Sequence, residues 1–417
     1  MGNMQDIAGK RWFMGKGAKI KSIREEARAC IAGNAISIAR VTFASSEKRE
    51  PDLYAVIDDE SRIGEILHEA FSASRRAYPA KKNSIPAQNG RFTFVRAQGF
   101  PARLPAKAIR SIAPLNAEQS NSAFTSRRFF FKLYRRLQPG THPEVEILER
   151  LSGAKFTSTP KLYGTCYYTD ATGRRYALGI LEKLCPGGTD AWKFFNCTMA
   201  PECARALGRA TARMHRAMAK MPGTPTRAEE IPFDKLETLL RGFVPAQKST
   251  KKIADKVIAA LPRLKEIAQA GGASALPEGE MFRPQRIHGD YHLGQVLVFD
   301  NEGARAKNAP TFKILDFEGE PTRSLDYRRA LRSPLVDIAG MLRSFQYASA
   351  VSGLDSTACE QAFIGGYARA ARMKAADIER AVTPYTIAKA VYEACYELEF
   401  RPDWFLIPAR ALLEIAG

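Results

Sequence analysis

Apolar positions in the first part of the chain fall in short runs separated by Gly, Asp, Asn and Pro. Segments 36–43 and 53–57 read as strands, 62–78 has helical spacing, and 79–84 reads as a loop. Segments 109–115 and 122–124 read as strands around a polar turn, Gln119-Ser120-Asn121. Segment 129–134 reads as a strand in which Phe130, Lys132 and Tyr134 share one face. Pro143 suits the first turn of a helix that runs to 152, and 176–184 reads as another strand. Pro186-Gly187-Gly188 then breaks the pattern and makes a natural hinge. Beyond it, 201–218, 233–241, 252–270, 333–349, 356–373 and 377–398 carry the spacing of amphipathic helices, with Pro262 placed to kink the third. One exception interrupts the helices: 295–299 and 311–315 are apolar runs around a polar loop and read as a hairpin. The pattern predicts an α+β protein of two lobes with an N-terminal α+β cap subdomain. The cap covers 1–105, a β-rich lobe 106–185 and a mainly helical lobe 186–417.

Composition narrows this little. With 417 residues, 45% hydrophobic and 26% charged, the chain can bury a core in each part and has the balance of a globular protein. No apolar run approaches the length that spans a bilayer, and Met1-Gly2-Asn3-Met4-Gln5-Asp6 has neither a signal core nor the Ser or Thr that myristoylation prefers. The cytoplasm, with no membrane partner, is the expectation. Seven cysteines without a Cys-x-x-Cys argue for reduced, mostly buried thiols. The formal charge of +19 is spread along the whole chain. It suits a cleft for an anionic nucleotide and does not by itself predict nucleic-acid binding.

The chemistry concentrates in His288-Gly289-Asp290-Tyr291-His292-Leu293-Gly294-Gln295, with Asp316-Phe317-Glu318 downstream. Protein kinases use the same grammar. A catalytic-loop Asp is followed five positions later by an amide that holds magnesium, and a hairpin then delivers a second Asp to the metal. Asp290 is the candidate base, and Gln295 and Asp316 are the candidate magnesium ligands, each offering a hard oxygen. A surface turn with a capping Asp would explain neither Gln295 nor Asp316. A metal-hydrolase reading of His288, Asp290 and His292 is poorly supplied with imidazoles, since only His68, His142 and His215 remain. His288 is expected to brace the loop, with His292 supporting the site or the fold.

Lys132 in its strand, with Glu146 in the following helix, supplies the Lys–Glu pair that a kinase uses on the α/β-phosphates; Glu144 and Glu149 compete for the pairing. No Gly-x-Gly-x-x-Gly loop is present. Gln119-Ser120-Asn121-Ser122 stands where a phosphate loop belongs, and Glu182, near the end of the 176–184 strand, is grouped with the nucleotide side. Arg127, Arg128, Arg135 and Arg136 read as the solvated basic ends of an aromatic strand, ahead of single-strand nucleic-acid binding. Asp337 can cap the helix it opens or brace the Asp290 loop from beneath. Tyr392 and Tyr396 share a helix face, as do Glu393 and Glu397, beside Arg401 and Trp404. Aromatic plates beside carboxylates suit a sugar ring, and packed tyrosines on an amphipathic helix are the plainer alternative.

These residues resemble the bacterial maltokinase family, within the aminoglycoside-phosphotransferase-like and eukaryotic-kinase-like fold. The similarity is carried by Arg11-Trp12-Phe13-Met14-Gly15-Lys16-Gly17, the Lys132–Gly140 segment with Pro143-Glu144-Val145-Glu146, the Asp290 loop, Asp316-Phe317-Glu318-Gly319-Glu320-Pro321 and Arg401-Pro402-Asp403-Trp404. It favours Glu146 as the partner of Lys132. It implies transfer of the γ-phosphate of ATP, with Mg2+, to a sugar hydroxyl: in maltokinases, maltose to maltose 1-phosphate. By the same resemblance Asp290 is the base, Gln295 and Asp316 hold magnesium, Lys132 contacts ATP, and Tyr392, Tyr396 and Arg401 touch the sugar, with Glu393, Trp404 and His292 as further candidates. Association with a trehalose/maltose-interconverting synthase is a possible corollary. The chain departs from the family in having His142-Pro143-Glu144 where Asn-Pro-Asp is common. Proteins sharing the Asp-Phe-Glu-Gly-Glu-Pro segment also look like glucosamine kinases, so glucosamine, giving glucosamine 6-phosphate, stands as the alternative acceptor.

Overall fold

A computed structural model describes residues 6–15, 17–44, 50–72, 82–115, 121–225, 230–245, 247–270, 282–299, 310–321 and 323–417. The chain divides into two units, Met1–Pro186 and Gly187–Gly417.

The first unit contains β1 (Ile20–Ile31), β2 (Asn34–Phe43), β3 (Asp52–Ile57), α1 (Ile63–Ser72), β4 (Lys82–Ala87), β5 (Gly90–Arg96), α2 (Ala106–Arg110), β6 (Ala113–Leu115), β7 (Ser122–Thr125), β8 (Phe129–Leu133), β9 (Arg136–Leu137), α3 (Pro143–Gly153), β10 (Leu162–Asp170) and β11 (Arg175–Lys183). They form a sheet of order β1-β2-β3-β9 and a larger one of order β4-β5-β10-β11-β8-β7-β6. Because β3 pairs with β9 and β5 with β10, residues before and after 105 share both sheets. Two register shifts in β1 and one in β10 interrupt the side-chain alternation, which is why neither strand was legible as a period-two run. The expected 109–115 strand is instead the one-turn helix α2 followed by the short β6, since Pro105 sits where a helix can start. The expected helix over 62–78 is described as α1, and 73–81 lie outside the described residues.

Arg127 and Arg128 are exposed, as expected of solvated basic ends, but Arg135 is not. It is fully buried. Its Nε donates to Ser122 Oγ at 2.7 Å and its Nη1 to Ala55 O at 3.1 Å, while Nη2 pairs with Glu60. The guanidinium also lies 4.6 Å from the ring centroid of Trp12. A guanidinium is tolerated in a core when its planar fork of donors is met in this way.

The second unit opens with β12 (Thr189–Asp190) and α4 (Ala191–Cys197), then α5 (Pro201–Met218), β13 (Thr224–Pro225), α6 (Phe233–Gly242) and α7 (Lys248–Ala270). The hairpin β14 (Val296–Phe299) and β15 (Thr311–Ile314) follows, then α8 (Leu325–Arg329), β16 (Ala330–Leu331), α9 (Leu335–Ser352), α10 (Thr357–Ala371), α11 (Ala375–Phe400) and α12 (Leu406–Ala416). Pro262 does not divide its helix: α7 runs through it. Leu236, Leu240, Val257, Leu261, Ile387, Val391, Phe405 and Leu412 interlock α6, α7, α11 and α12 in one apolar core. That core fixes one side of α11, and the residues on its other side become available to a cavity. No described helix is long and apolar enough to cross a membrane.

Candidate functional site

Asp290 is presented by a loop whose backbone is held from below. Asp337, three residues into α9 and buried, accepts the His288 N–H at 2.8 Å and the Gly289 N–H at 2.9 Å. The same carboxylate takes His215 Nε2 at 3.0 Å, and His215 Nδ1 meets the Tyr367 hydroxyl at 2.9 Å. Burial opposes the charge on Asp337. The hydrogen bond and charge of His215, the His288 ring and the Gly289 N–H outweigh that and hold its pKa below the ordinary carboxylate value. Of its two sequence-based roles, the brace is the observed one; no cap bond forms at the start of α9.

The loop needs two glycines for different reasons. Gly289 has φ +83°, a conformation costly for other residues. Gly340 lies where a Cβ would come within 2.7 Å of Tyr291 O, so α9 approaches the loop only by having no side chain there. His288 completes the brace. Its Nε2 donates to Leu315 O at 2.8 Å, and its Nδ1 accepts the Asp290 N–H at 3.4 Å. That pairing ties the loop to the end of β15 and fixes the ring in one tautomer.

Asp290 itself keeps 31% of its side chain exposed, with His292 Nε2 4.0 Å from its carboxylate. Gln295 closes a 3-10 turn immediately before β14, and Leu315 N donates to Gln295 O at 2.9 Å. The hairpin therefore brings Gln295 beside Asp316, with Gln295 Nε2 donating to Asp316 Oδ2 at 3.1 Å. Asp316 adopts φ +62°, a left-handed conformation that costs roughly 1–2 kcal/mol in a non-glycine residue. Two oxygen-bearing side chains in contact, one on strained backbone, fit a magnesium site in ligand chemistry.

Beside Asp290 lies a cavity of about 460 Å³, within the range of small-molecule sites. Its wall includes Asp290, His292, Tyr392, Glu393, Tyr396 and Arg401. Trp404 does not line it; the indole stands behind, its centroid 6.2 Å from the Tyr347 ring and nearly parallel. The sequence reading did not assign a site role to Trp192, Tyr347 or Lys389, which also line the cavity. Helical spacing placed Glu397 on the face of Glu393, but only packing shows that Tyr347 of α9 faces both. Buried Arg343 donates to Glu393 at 2.7 Å; Tyr347 and Arg401 donate to Glu397 Oε1 at 3.0 and 2.7 Å. The Tyr392 hydroxyl donates to Glu320 at 2.8 Å, and burial, reinforced by that carboxylate, pushes its pKa up to about 12.

The first unit carries a separate group. Buried Lys132 donates to Glu144 Oε2 at 2.9 Å, and the Tyr134 hydroxyl donates to the same oxygen at 2.7 Å. The ion pair at 2.9 Å is with Glu144, one of the competitors the sequence offered. Of the proposed phosphate loop, Gln119 and Ser120 lie outside the described residues. Asn121 Oδ1 accepts Arg135 N at 3.1 Å, and Ser122 Oγ accepts Arg135 Nε. Glu182 is buried on β11 opposite Phe130.

Residues 111–306 match the phosphotransferase enzyme family, and the match includes Lys132, Asp290 and Gln295. The matched stretch, just under half of the chain, is similar to that family. A glucosamine kinase of Streptacidiphilus jiangxiensis is 23% identical over 312 residues, 67% of this chain and 66% of that relative, just under two thirds of its length. One of Mycolicibacterium smegmatis is 23% identical over 328 residues, 73% of each chain. Among solved structures, a glucosamine kinase in complex with glucosamine, ADP and inorganic phosphate gives a TM-score of 0.69 at 20% identity, covering 99% of both chains. The chain therefore has the two-lobed, kinase-like α+β fold.

Proposed function

We propose that this chain is a phosphotransferase that moves the γ-phosphate of ATP to a hydroxyl of an amino sugar, with glucosamine as the leading acceptor. The observation that carries this reading is Asp290, partly exposed at the wall of the cavity and held there by Asp337 through two loop N–H groups. Asp290 orients the attacking hydroxyl and takes its proton. Gln295 and Asp316 would hold Mg2+, which supplies charge neutralisation to the phosphates. Lys132, aligned by Glu144, contacts the nucleotide phosphates in the manner of kinase lysines. Tyr392, Tyr396 and Trp192 offer aromatic faces to a sugar ring.

The resemblance of the sequence leads first to maltose. The cavity wall and the relatives favour the amino-sugar alternative. Glu393 and Glu397 line the cavity together with Asp290, a wall suited to an ammonium group, and the named relatives are glucosamine kinases. Purified protein, ATP and Mg2+ are to be incubated with glucosamine, glucose and maltose, and the products assigned by phosphorus-31 NMR. The reading expects glucosamine 6-phosphate. Phosphate on C1 of maltose would restore the maltokinase reading, and no transfer to any sugar would remove both.

A further inference from the structure

Among the described residues, the wall of the cavity beside Asp290 holds one lysine, Lys389, and one arginine, Arg401. Arg401 is already paired, donating to Glu397 at 2.7 Å. Lys389 is not. It is half-buried on α11 and has no hydrogen bond or ion pair among the described residues. Glu393, one turn further along the helix, is taken by buried Arg343 at 2.7 Å. Lys389 Nζ instead lies 5.5 Å from the ring centroid of Tyr392, whose hydroxyl is tied to Glu320. Such a contact orients an ammonium without neutralising its charge. The charge also reaches the catalytic loop. Burial holds the pKa of His292 below the ordinary histidine value against the charge of Asp290, and His288 and Lys389 add to the lowering. His292 Nε2 stands 4.0 Å from the Asp290 carboxylate.

An uncompensated ammonium repels an acceptor that carries an ammonium of its own. It fits a site that receives an anion in the course of the reaction. The anion that comes to an acceptor hydroxyl at Asp290 is the γ-phosphoryl group, whose charge is spread over its nonbridging oxygens. We propose that Lys389 is a catalytic residue for that group, its ammonium donating to a nonbridging oxygen as the phosphoryl passes to the acceptor. This rests on the sugar-kinase reading above and adds a cation delivered from α11, about a hundred residues beyond the catalytic loop. In the step, the acceptor oxygen forms the new bond to phosphorus and the bond from phosphorus to the β,γ-bridging oxygen breaks. Asp290 takes the acceptor's proton and ADP leaves. Lys389 exchanges no proton; it meets charge on the oxygens in flight, where a fixed donor acts most strongly.

The test compares the wild type with Lys389→Met and Lys389→Arg, using glucosamine, ATP and Mg2+, with melting temperatures alongside. Methionine keeps an unbranched apolar stem and removes the charge; arginine keeps the charge. Lys389→Met is expected to lower kcat by roughly 10²-fold, the scale of one lost donor to transition-state charge. Its KM for glucosamine should stay within about threefold of the wild type. Inhibition by glucosamine 6-phosphate should weaken about tenfold, and Lys389→Arg should recover most of kcat. A structural role would lower Tm without separating kcat from KM, and the ratio of kcat between the two variants reads the charge even if both lose stability. Wild-type kcat in Lys389→Met, a raised KM at unchanged kcat, or a Lys389→Arg as slow as Lys389→Met would overturn the assignment and leave the sugar-kinase reading standing. A wild type that phosphorylates no sugar would remove that reading and this inference with it.

Discussion

Asp337→Asn is the sharpest perturbation of the catalytic loop. The native carboxylate accepts three hydrogen bonds, at 2.8, 2.9 and 3.0 Å, from His288 N, Gly289 N and His215 Nε2. Asparagine retains one acceptor oxygen. Its amide nitrogen must then face either a loop N–H or the imidazole, a donor against a donor. Losing one or two charge-assisted bonds in a buried setting gives a destabilisation of about 3–5 kcal/mol. For a lobe of this size that lowers Tm by on the order of 10 °C. The pH dependence has a definite sign. The folded pKa of Asp337 is depressed, so its contribution is present above the ordinary aspartate value and is lost as pH falls through the lower folded value. Differential scanning calorimetry at neutral pH and through the acid range should show the variant melting lower and lacking that part of the acid dependence. A variant that melts within about 2 °C of the wild type, with undiminished turnover, would refute the claim that Asp337 holds the loop.

Three further outcomes follow from the geometry. Asp290→Asn should cut turnover by about 10²–10⁴ while ATP still raises Tm, because Gln295, Asp316 and Lys132 are untouched; full activity would remove the base from Asp290. Glu144→Gln should lower activity at least tenfold, since it weakens a buried ion pair worth roughly 3–5 kcal/mol when broken. Glu146→Gln should stay within about twofold on the same scale, and steady-state kinetics on the two variants would expose the reverse order. Gly340→Ala forces a Cβ against Tyr291 O, so about 1–3 kcal/mol of stability and a larger share of activity should be lost; wild-type kcat would show that the loop does not rest on α9 as described.

The hairpin and the motif residues were legible because they depend on short spacings. Five residues separate Asp290 from Gln295, and apolar runs on either side of a polar loop bring Asp316 back beside Gln295. Helices α5, α6 and α7 were legible because their apolar residues recur on one face at helical spacing, whereas α9, α10 and α11 spread theirs around the helix and are continuous apolar-rich segments. Strands β1 and β10 were not, because register shifts erase a period of two. The pairing of Glu144 with Lys132 and Tyr134 lay beyond sequence resemblance, since it depends on which side of α3 meets their face.

The chain's order of residues carries the chemical vocabulary of the proposed phosphotransfer: a candidate base, two candidate oxygen ligands, a lysine in a strand and a helix bearing tyrosines and glutamates. Packing assigns the tasks. Asp337 becomes a brace because α9 runs beneath the loop at Gly340, and Arg135 becomes a core residue because Ala55, Glu60 and Trp12 surround it. Glu397 acquires a saturated oxygen and an unsatisfied one because Tyr347 reaches it from another helix. Local pattern records backbone periodicity and the chemical type of each side chain. The partner of a buried polar group is set by elements distant in the chain, and its energetics follow from whether that partner is there.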